Sequence, residues 1–340
     1  MSEEFTMLPD LASRTFGGGI VHTNDEFFAA ADNLLAPQAP TFSPRTFDHR
    51  GQVYDGWETR RRREPGSDHV IVRLGAPGMI RGIDIDTAFF TGNFPPFAAV
   101  DGCSIDGFPD ATALAAADWE PIVPRSPLLG DSRHLFKVDA KRRFTHVKLT
   151  IFPDGGVARL RVHGEVVPDP ALLPGVFDVA AAEYGGRVVG CSNMFYGHPQ
   201  NLLAPGLARS MGDGWETSRR RDDGNDWVLI KLAVPAVIEL ADLDTRWFKG
   251  NSPGKASLRA VDTRIGSLDD PADWFEPLPP VRLAPDTPHR FPVTVVPAAT
   301  HVRLDIYPDG GMARLRLHGR PDADGAAALR DRFDTLNTRA

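Results

Sequence analysis

Two short stretches concentrate side chains able to seize an anion and move a proton. Gly56-Trp57-Glu58-Thr59-Arg60-Arg61-Arg62-Arg63 sets one carboxylic acid beside a run of guanidinium groups. Gly214-Trp215-Glu216-Thr217-Ser218-Arg219-Arg220-Arg221 repeats it 158 positions later with a single internal change. A guanidinium is a planar fork that grips a carboxylate through parallel hydrogen bonds. Arg61, Arg62, Arg219 and Arg220 are therefore the candidates for anion capture, although charge runs also suit a solvated strand edge. Glu58 and Glu216 are candidates for acid–base work, or for structural pairing with a neighbouring arginine. Trp57 and Trp215 read as core or pocket wall.

Further polar residues recur in matched blocks. Asp86 and Asp244 stand where a strand meets a loop, and Asn93 and Asn251 follow seven residues on. Asp154 and Asp309 occupy Pro-Asp-Gly-Gly turns, where turn formation alone also accounts for an aspartate. Arg161 and Arg316 suit structural ion pairs. His146, His301, His163 and His318 are histidines that a strand end or strand interior satisfies locally, with proton shuttling as the alternative. No HxH, HExxH or clustered Cys/His pattern occurs, so no metal-ligand motif supports a cofactor.

The elements that must position these groups come in two sets. Asn33-Leu34-Leu35 answers Asn201-Leu202-Leu203 at an offset of 168, and Asp84-Ile85-Asp86-Thr87 answers Asp242-Leu243-Asp244-Thr245 at 158. Pro153-Asp154-Gly155-Gly156 answers Pro308-Asp309-Gly310-Gly311 at 155. The first copy carries ten extra residues between Ala36 and Val53. The reading is a loose leader over 1–9, a first repeat over 10–166, a Pro-rich linker over 167–177, a second repeat over 178–320 and a helical tail over 321–340. Within each repeat the apolar period is two, as in His69–Leu74, Ile80–Asp86, Phe144–Phe152 and Val157–Val162, with turn residues between runs. That pattern predicts about seven or eight short strands per repeat, an all-β antiparallel sandwich. It predicts a hairpin through Pro153–Gly156, a helix over Phe27–Leu35 capped by Thr23 or Asn24, and a terminal helix over Ala326–Leu336.

Composition bounds the function. Hydrophobic residues make up 42% and charged residues 24%, as in a globular protein with ordinary cores. A net charge of −7 argues against nucleic acid as a partner. Cys103 and Cys191 do not correspond between the repeats, which suits a reducing compartment. No signal-peptide pattern or long apolar run is present, so a cytoplasmic protein with no membrane partner is expected.

The duplicated Gly-Trp-Glu-Thr-x-Arg-Arg-Arg, the Asp-Thr…Gly-Asn block and Pro-Asp-Gly-Gly-x-Ala-Arg-Leu-Arg-x-His-Gly resemble the allantoicase family, over about Asp10 to Gly319. The resemblance implies two tandem jelly-roll domains of the galactose-binding, discoidin-like kind, and a homo-oligomer. It implies hydrolysis of allantoate to ureidoglycolate and urea. Allantoate carries a carboxylate and two ureido groups on one carbon. Protonating one ureido group while the other pushes would expel urea and leave an iminium for water to capture. Such a reaction needs an arginine for the carboxylate, a carboxylic acid at the leaving nitrogen, and amide or carboxylate partners for the ureido groups. Glu58, Glu216, Asp86 and Asp244 are the expected acid–base groups. Arg61, Arg62, Arg219, Arg220, Asn93, Asn251, Asp154 and Asp309 are the expected binding groups. A divalent metal is not required in principle, although one would polarise a ureido carbonyl.

Overall fold

The computed structural model describes residues 4–294 and 297–337. Of the expected leader and tail, residues 1–3 and 338–340 lie outside the described residues. The chain divides into two units, one running to Val167 and including the residues from Asp334, the other spanning Pro168–Phe333.

In unit 1 the strands are β1 (Gly19–Thr23), β2 (Phe47–Asp48), β3 (Gly51–Gln52), β4 (Trp57–Glu58) and β5 (Asp68–Asp86). They continue as β6 (Phe97–Cys103), β7 (Glu120–Pro127), β8 (Arg133–Lys137), β9 (Phe144–Phe152), β10 (Gly156–Val157) and β11 (Arg159–Val166), with a short helix α1 (Ala111–Ala115) between β6 and β7. The backbone of the unit is β5. Its β-branched residues Val70, Val72, Ile80, Ile83 and Ile85 are buried in one core with Trp57, Val100, Phe144, Leu149 and Leu160. The sequence pattern splits this stretch into two strands at Gly75-Ala76-Pro77-Gly78. Instead one strand continues through and changes partners. Its first half pairs with β1 and β9, its second with β11 and β8, and the β9 register breaks between Arg73 and Gly78. On the far side β9 pairs with β6, and β6 with β7. One strand thereby serves both sheets of a sandwich.

Three other expectations are corrected. β9 and β11 do not form a hairpin, since each pairs with a different half of β5. Pro153–Gly156 is a crossing between layers. It is stitched to the Trp-Glu motif through β10, with Gly156 opposite Glu58 and Val157 opposite Trp57. Gly155 has φ +141° there, and a Cβ would fall 2.7 Å from the Asn93 carbonyl oxygen, so glycine is required. The helix expected over Phe27–Leu35 is reduced to a 3-10 turn at Ala31–Leu35. The N–H groups of Phe28 and Ala29 both donate to the Glu58 carbonyl, and Glu58 N–H donates to Ala29. That bridge holds the segment extended against β4 and overrides its helical period. The leader is also anchored, because Phe5 packs on His163 and lies over Gly82, where a Cβ would meet its ring.

Unit 2 has the same plan. Its Asp226–Asp244 strand pairs first with Arg187–Cys191 and Ala299–Tyr307, then with Arg314–Pro321 and Pro288–Pro292. The terminal helix α2 runs Ala323–Asn337.

Candidate active site

Trp57 fixes the position of the acid that follows it. Its indole is fully buried and donates its N–H to the Asp25 carbonyl at 2.8 Å. Strand alternation turns the next side chain, Glu58, to the opposite side. Thr59 then locks the crossing loop. Its N–H donates to the Gly155 carbonyl at 3.2 Å, and its hydroxyl accepts from Gly155 N–H at 3.2 Å.

Glu58 faces a cleft of about 620 Å³ whose walls include Phe28, Arg61, Arg62, Asn93, Phe94 and Asp154. The Asn93 side-chain amide donates to Glu58 Oε1 at 2.6 Å. Asn93 is itself held by Gly156 N–H, which donates to its carbonyl at 2.7 Å. Burial raises the Glu58 carboxyl above the ordinary glutamate range, and the Asn93 hydrogen bond only partly opposes this. The group is thus inclined to keep a proton.

The arginines divide the work. The backbone N–H of Arg62 donates to Asp154 Oδ2 at 2.8 Å, while its guanidinium leaves the cleft to pair with buried Asp68 at 2.6 Å. Arg61 lines the cleft and its guanidinium has no hydrogen bond or ion pair among the described residues. An acid that can carry a proton, an amide, a carboxylate oxygen of Asp154 and an unpaired guanidinium therefore converge on one space.

Unit 2 repeats the geometry. The Asn251 amide donates to Glu216 Oε1 at 2.6 Å, and Arg220 N–H donates to Asp309 Oδ2 at 2.8 Å. Thr217 and Gly310 exchange hydrogen bonds as Thr59 and Gly155 do. The Arg220 guanidinium pairs with Asp226 at 2.9 Å and with Asp222 at 2.7 Å. Arg219 is exposed and has no ion pair among the described residues. The walls differ, because Tyr196, Ser252 and Gly254 stand in sequence where unit 1 has Phe28, Phe94 and Pro96.

The allantoicase repeat family model matches residues 9–167 and again 177–322. The chain belongs to the allantoicase family. A probable allantoicase of Nocardia farcinica is 56% identical over 319 residues, covering 93% of this chain and 95% of that protein. One from Streptomyces coelicolor is 48% identical, covering 98% and 90%. The crystal structure of allantoicase from Saccharomyces cerevisiae, 35% identical, aligns with a TM-score of 0.78 over 93% of this chain and 96% of that one.

Several polar residues repeated between the two allantoicase repeats lie outside the cleft. Asp86 is buried at the end of β5, and its Oδ1 accepts the Ala88 N–H at 2.8 Å. Burial raises its carboxyl, and the Asp84 charge adds to this. Asp244 accepts the Arg246 N–H at 2.9 Å and is gripped by the Arg246 guanidinium at 2.6 Å. Both carboxylates are spent closing the turn that ends the long strand. Neighbouring Thr87 and Thr245 brace it, donating to the Leu129 and Ala284 carbonyls at 2.7 and 2.6 Å. These residues support the loop that carries Asn93 or Asn251.

Arg161 and Arg316 pair with Asp10 at 3.3 Å and Asp178 at 3.5 Å. His163 bonds the Leu8 carbonyl and His318 bonds Asp242. None of the four strand histidines lines the cleft. Sequence reasoning missed Arg159, buried and bound to Asp55 Oδ2 at 2.8 Å and to the Gln38 and Asp55 carbonyls. It fastens the loop that is longer in the first repeat, and its recurrence as Arg314 was the available signal. The apolar walls Phe28 and Phe94 were also missed, since they are not matched between repeats. Among the described residues, no group of three or more His, Cys, Asp or Glu side chains is placed to hold a metal ion, and no helix is long and apolar enough to cross a membrane.

Proposed function

We propose that this chain hydrolyses allantoate to ureidoglycolate and urea, and that the Glu58 cleft is a site of the reaction. The observation that carries this is the buried Glu58 carboxyl, its proton affinity raised, held by Asn93 and facing unpaired Arg61. Arg61 takes the substrate carboxylate in its fork. Asn93 spends one N–H on Glu58, so its side-chain oxygen is left to accept from a ureido N–H, and Asp154 Oδ1 accepts from another. Glu58 then delivers its proton to the nitrogen of the departing ureido group. The lone pair of the remaining ureido nitrogen forms a C=N bond as the other C–N bond breaks and urea leaves. Water adds to the iminium carbon, and Glu58 takes the released proton, so the carboxyl is restored for the next turnover.

Phe28 and Phe94 put apolar walls beside Glu58, which favours its protonated form and strengthens the hydrogen bonds around it. Glu216, Asn251, Arg219, Arg220 and Asp309 provide a second set of the same groups, in a less apolar setting. The reading extends to a cytoplasmic homo-oligomer built from two-repeat chains, with repeats over 10–166 and 178–320. Sedimentation of the purified chain tests the assembly. Urea release from allantoate by the purified full chain tests the activity. Urea formed in proportion to allantoate consumed is the expected result, and no urea with or without added divalent cation would overturn the reading.

A further inference from the structure

Unit 1 has a second open cleft, of about 660 Å³, that shares no lining residue with the first. It lies on the outward face of β5 and β9, where His69 stands opposite Thr150 and Ile71 opposite Lys148. His22 of β1 joins them, its ring centroid 5.5 Å from that of His69. α1 and Trp119 form the other wall. The indole is held by donating its N–H to the Leu114 carbonyl at 2.8 Å, and the Lys148 ammonium sits 4.8 Å from the ring centroid.

The second repeat shows what this face looks like when the chain completes it. Trp227 takes the place of His69, and Gly190 the place of His22. Arg303, the counterpart of Lys148, stacks on Trp227 at 4.7 Å and pairs with Asp305 at 2.8 Å. Asp305 is buried, and Arg259 reaches it as well, at 3.3 Å. A large ring and an internal carboxylate thus occupy this face in unit 2. In unit 1 the ring is replaced by smaller imidazoles, and the carboxylate by the neutral hydroxyl of Thr150. Among the described residues, the one ion pair of Lys148 is with Asp101, at 3.3 Å on the side of β6. The fold does not demand the opening, and what unit 1 lacks is an apolar ring with a carboxylate beside it.

We propose that this cleft binds a small organic carboxylate with a planar, apolar body, which takes the places that Trp227 and Asp305 fill in the other repeat. The carboxylate lies against Lys148, His69 and Thr150, whose N–H and O–H groups donate to it. The body lies between Ile71, Leu114 and the Trp119 indole, which adds dispersion and stacking. This site is independent of the reaction assigned to Glu58.

Isothermal titration of the full chain with benzoate, and separately with inorganic phosphate, tests the proposal. Benzoate should bind saturably and more tightly than phosphate, which lacks the apolar body. Lys148→Gln should weaken benzoate about tenfold or more through loss of the charge-assisted contact. The pair His22→Gly with His69→Trp, copied from the folded second repeat, should abolish binding. Arg61→Ala, in the other cleft, should leave it unchanged. Absence of saturable binding up to about 10 mM would overturn the proposal. So would benzoate binding that survives both cleft variants or is lost in Arg61→Ala. Phosphate bound as tightly as benzoate would overturn the ligand class.

Discussion

Asn93 and Glu58 are joined side chain to side chain at 2.6 Å, and Asn251 and Glu216 reproduce that bond at the same length in the second repeat. The amide donates through its nitrogen, so it favours the ionised carboxylate and partly offsets the effect of burial. It also fixes the rotamer of the carboxyl. Glu58→Gln keeps the hydrogen bond and removes the transferable proton. Its kcat for urea release should fall by about 10²–10⁴-fold, the usual contribution of a positioned acid. Glu216→Gln should retain more than half of wild-type kcat, because Tyr196, Ser252 and Gly254 replace the apolar walls that enclose Glu58. Equal losses in the two variants would show that both repeats carry turnover.

The duplication, the β class and the partnership of Glu, Asn, Arg and Asp blocks were legible in the sequence because matched residues recur at constant offsets. What was not legible depended on partners far along the chain. Gly75–Gly78 carries the residues of a turn, yet β5 passes through it because different strands await each half. The amphipathic run after Asn24 is held extended by Glu58, which lies beyond an intervening loop. Asp86 and Asp244 look like free carboxylates at a strand end, but the N–H two residues on consumes each of them locally. Arg61 and Arg62 are indistinguishable in a run of arginines. Only the position of Asp68 decides which one stays in the cleft.

The raised proton affinity of Glu58 has a consequence for stability. Above its folded pKa the native state holds a desolvated carboxylate that the unfolded chain would hydrate. The wild type therefore loses stability relative to Glu58→Gln as pH rises through that value. Below the unfolded value of about 4.3 both forms are neutral and the difference should vanish. Melting temperatures of the two proteins across acid to neutral pH check this. A variant equally or less stable at neutral pH would contradict the assignment.

His146 should govern part of the acid limb of stability. Burial, with the Arg73 charge adding, pushes this imidazole down to about 4. Between an unfolded value of about 6.5 and that folded value, the unfolded chain binds a proton that the native state refuses. Stability is therefore full above the window and falls as the solution is acidified through it. His146→Gln should show a shallower fall between neutral and acid pH. Chemical denaturation midpoints at several pH values measure the slope, and an unchanged slope would remove His146 from the account.

Chelation should leave urea release unaltered. The groups assigned to the reaction are a carboxylic acid, an amide, a guanidinium and a single further carboxylate. Among the described residues no His, Cys, Asp or Glu set gathers to hold a cation. Initial rates after exhaustive dialysis against a strong chelator should match those of untreated protein. A loss that returns on adding one divalent metal would show that the metal belongs to the reaction.

Arg61 and Arg62 are neighbours in sequence with opposite expected phenotypes. Arg61 is exposed and unpaired at the cleft, so Arg61→Ala removes a substrate contact and no native one. Its KM for allantoate should rise about tenfold or more, as expected for losing a charge-assisted bond of roughly 1.5–3 kcal/mol, with melting temperature unchanged. Arg62 instead neutralises Asp68, which is 1% exposed and has one carboxylate oxygen already without a partner. Arg62→Ala strands that buried charge and should cost about 1–3 kcal/mol of stability. Arg62→Ala with Asp68→Asn should recover part of that loss, because the stranded group is then neutral. A double variant no more stable than Arg62→Ala alone would show that the arginine acts through packing and not through its charge.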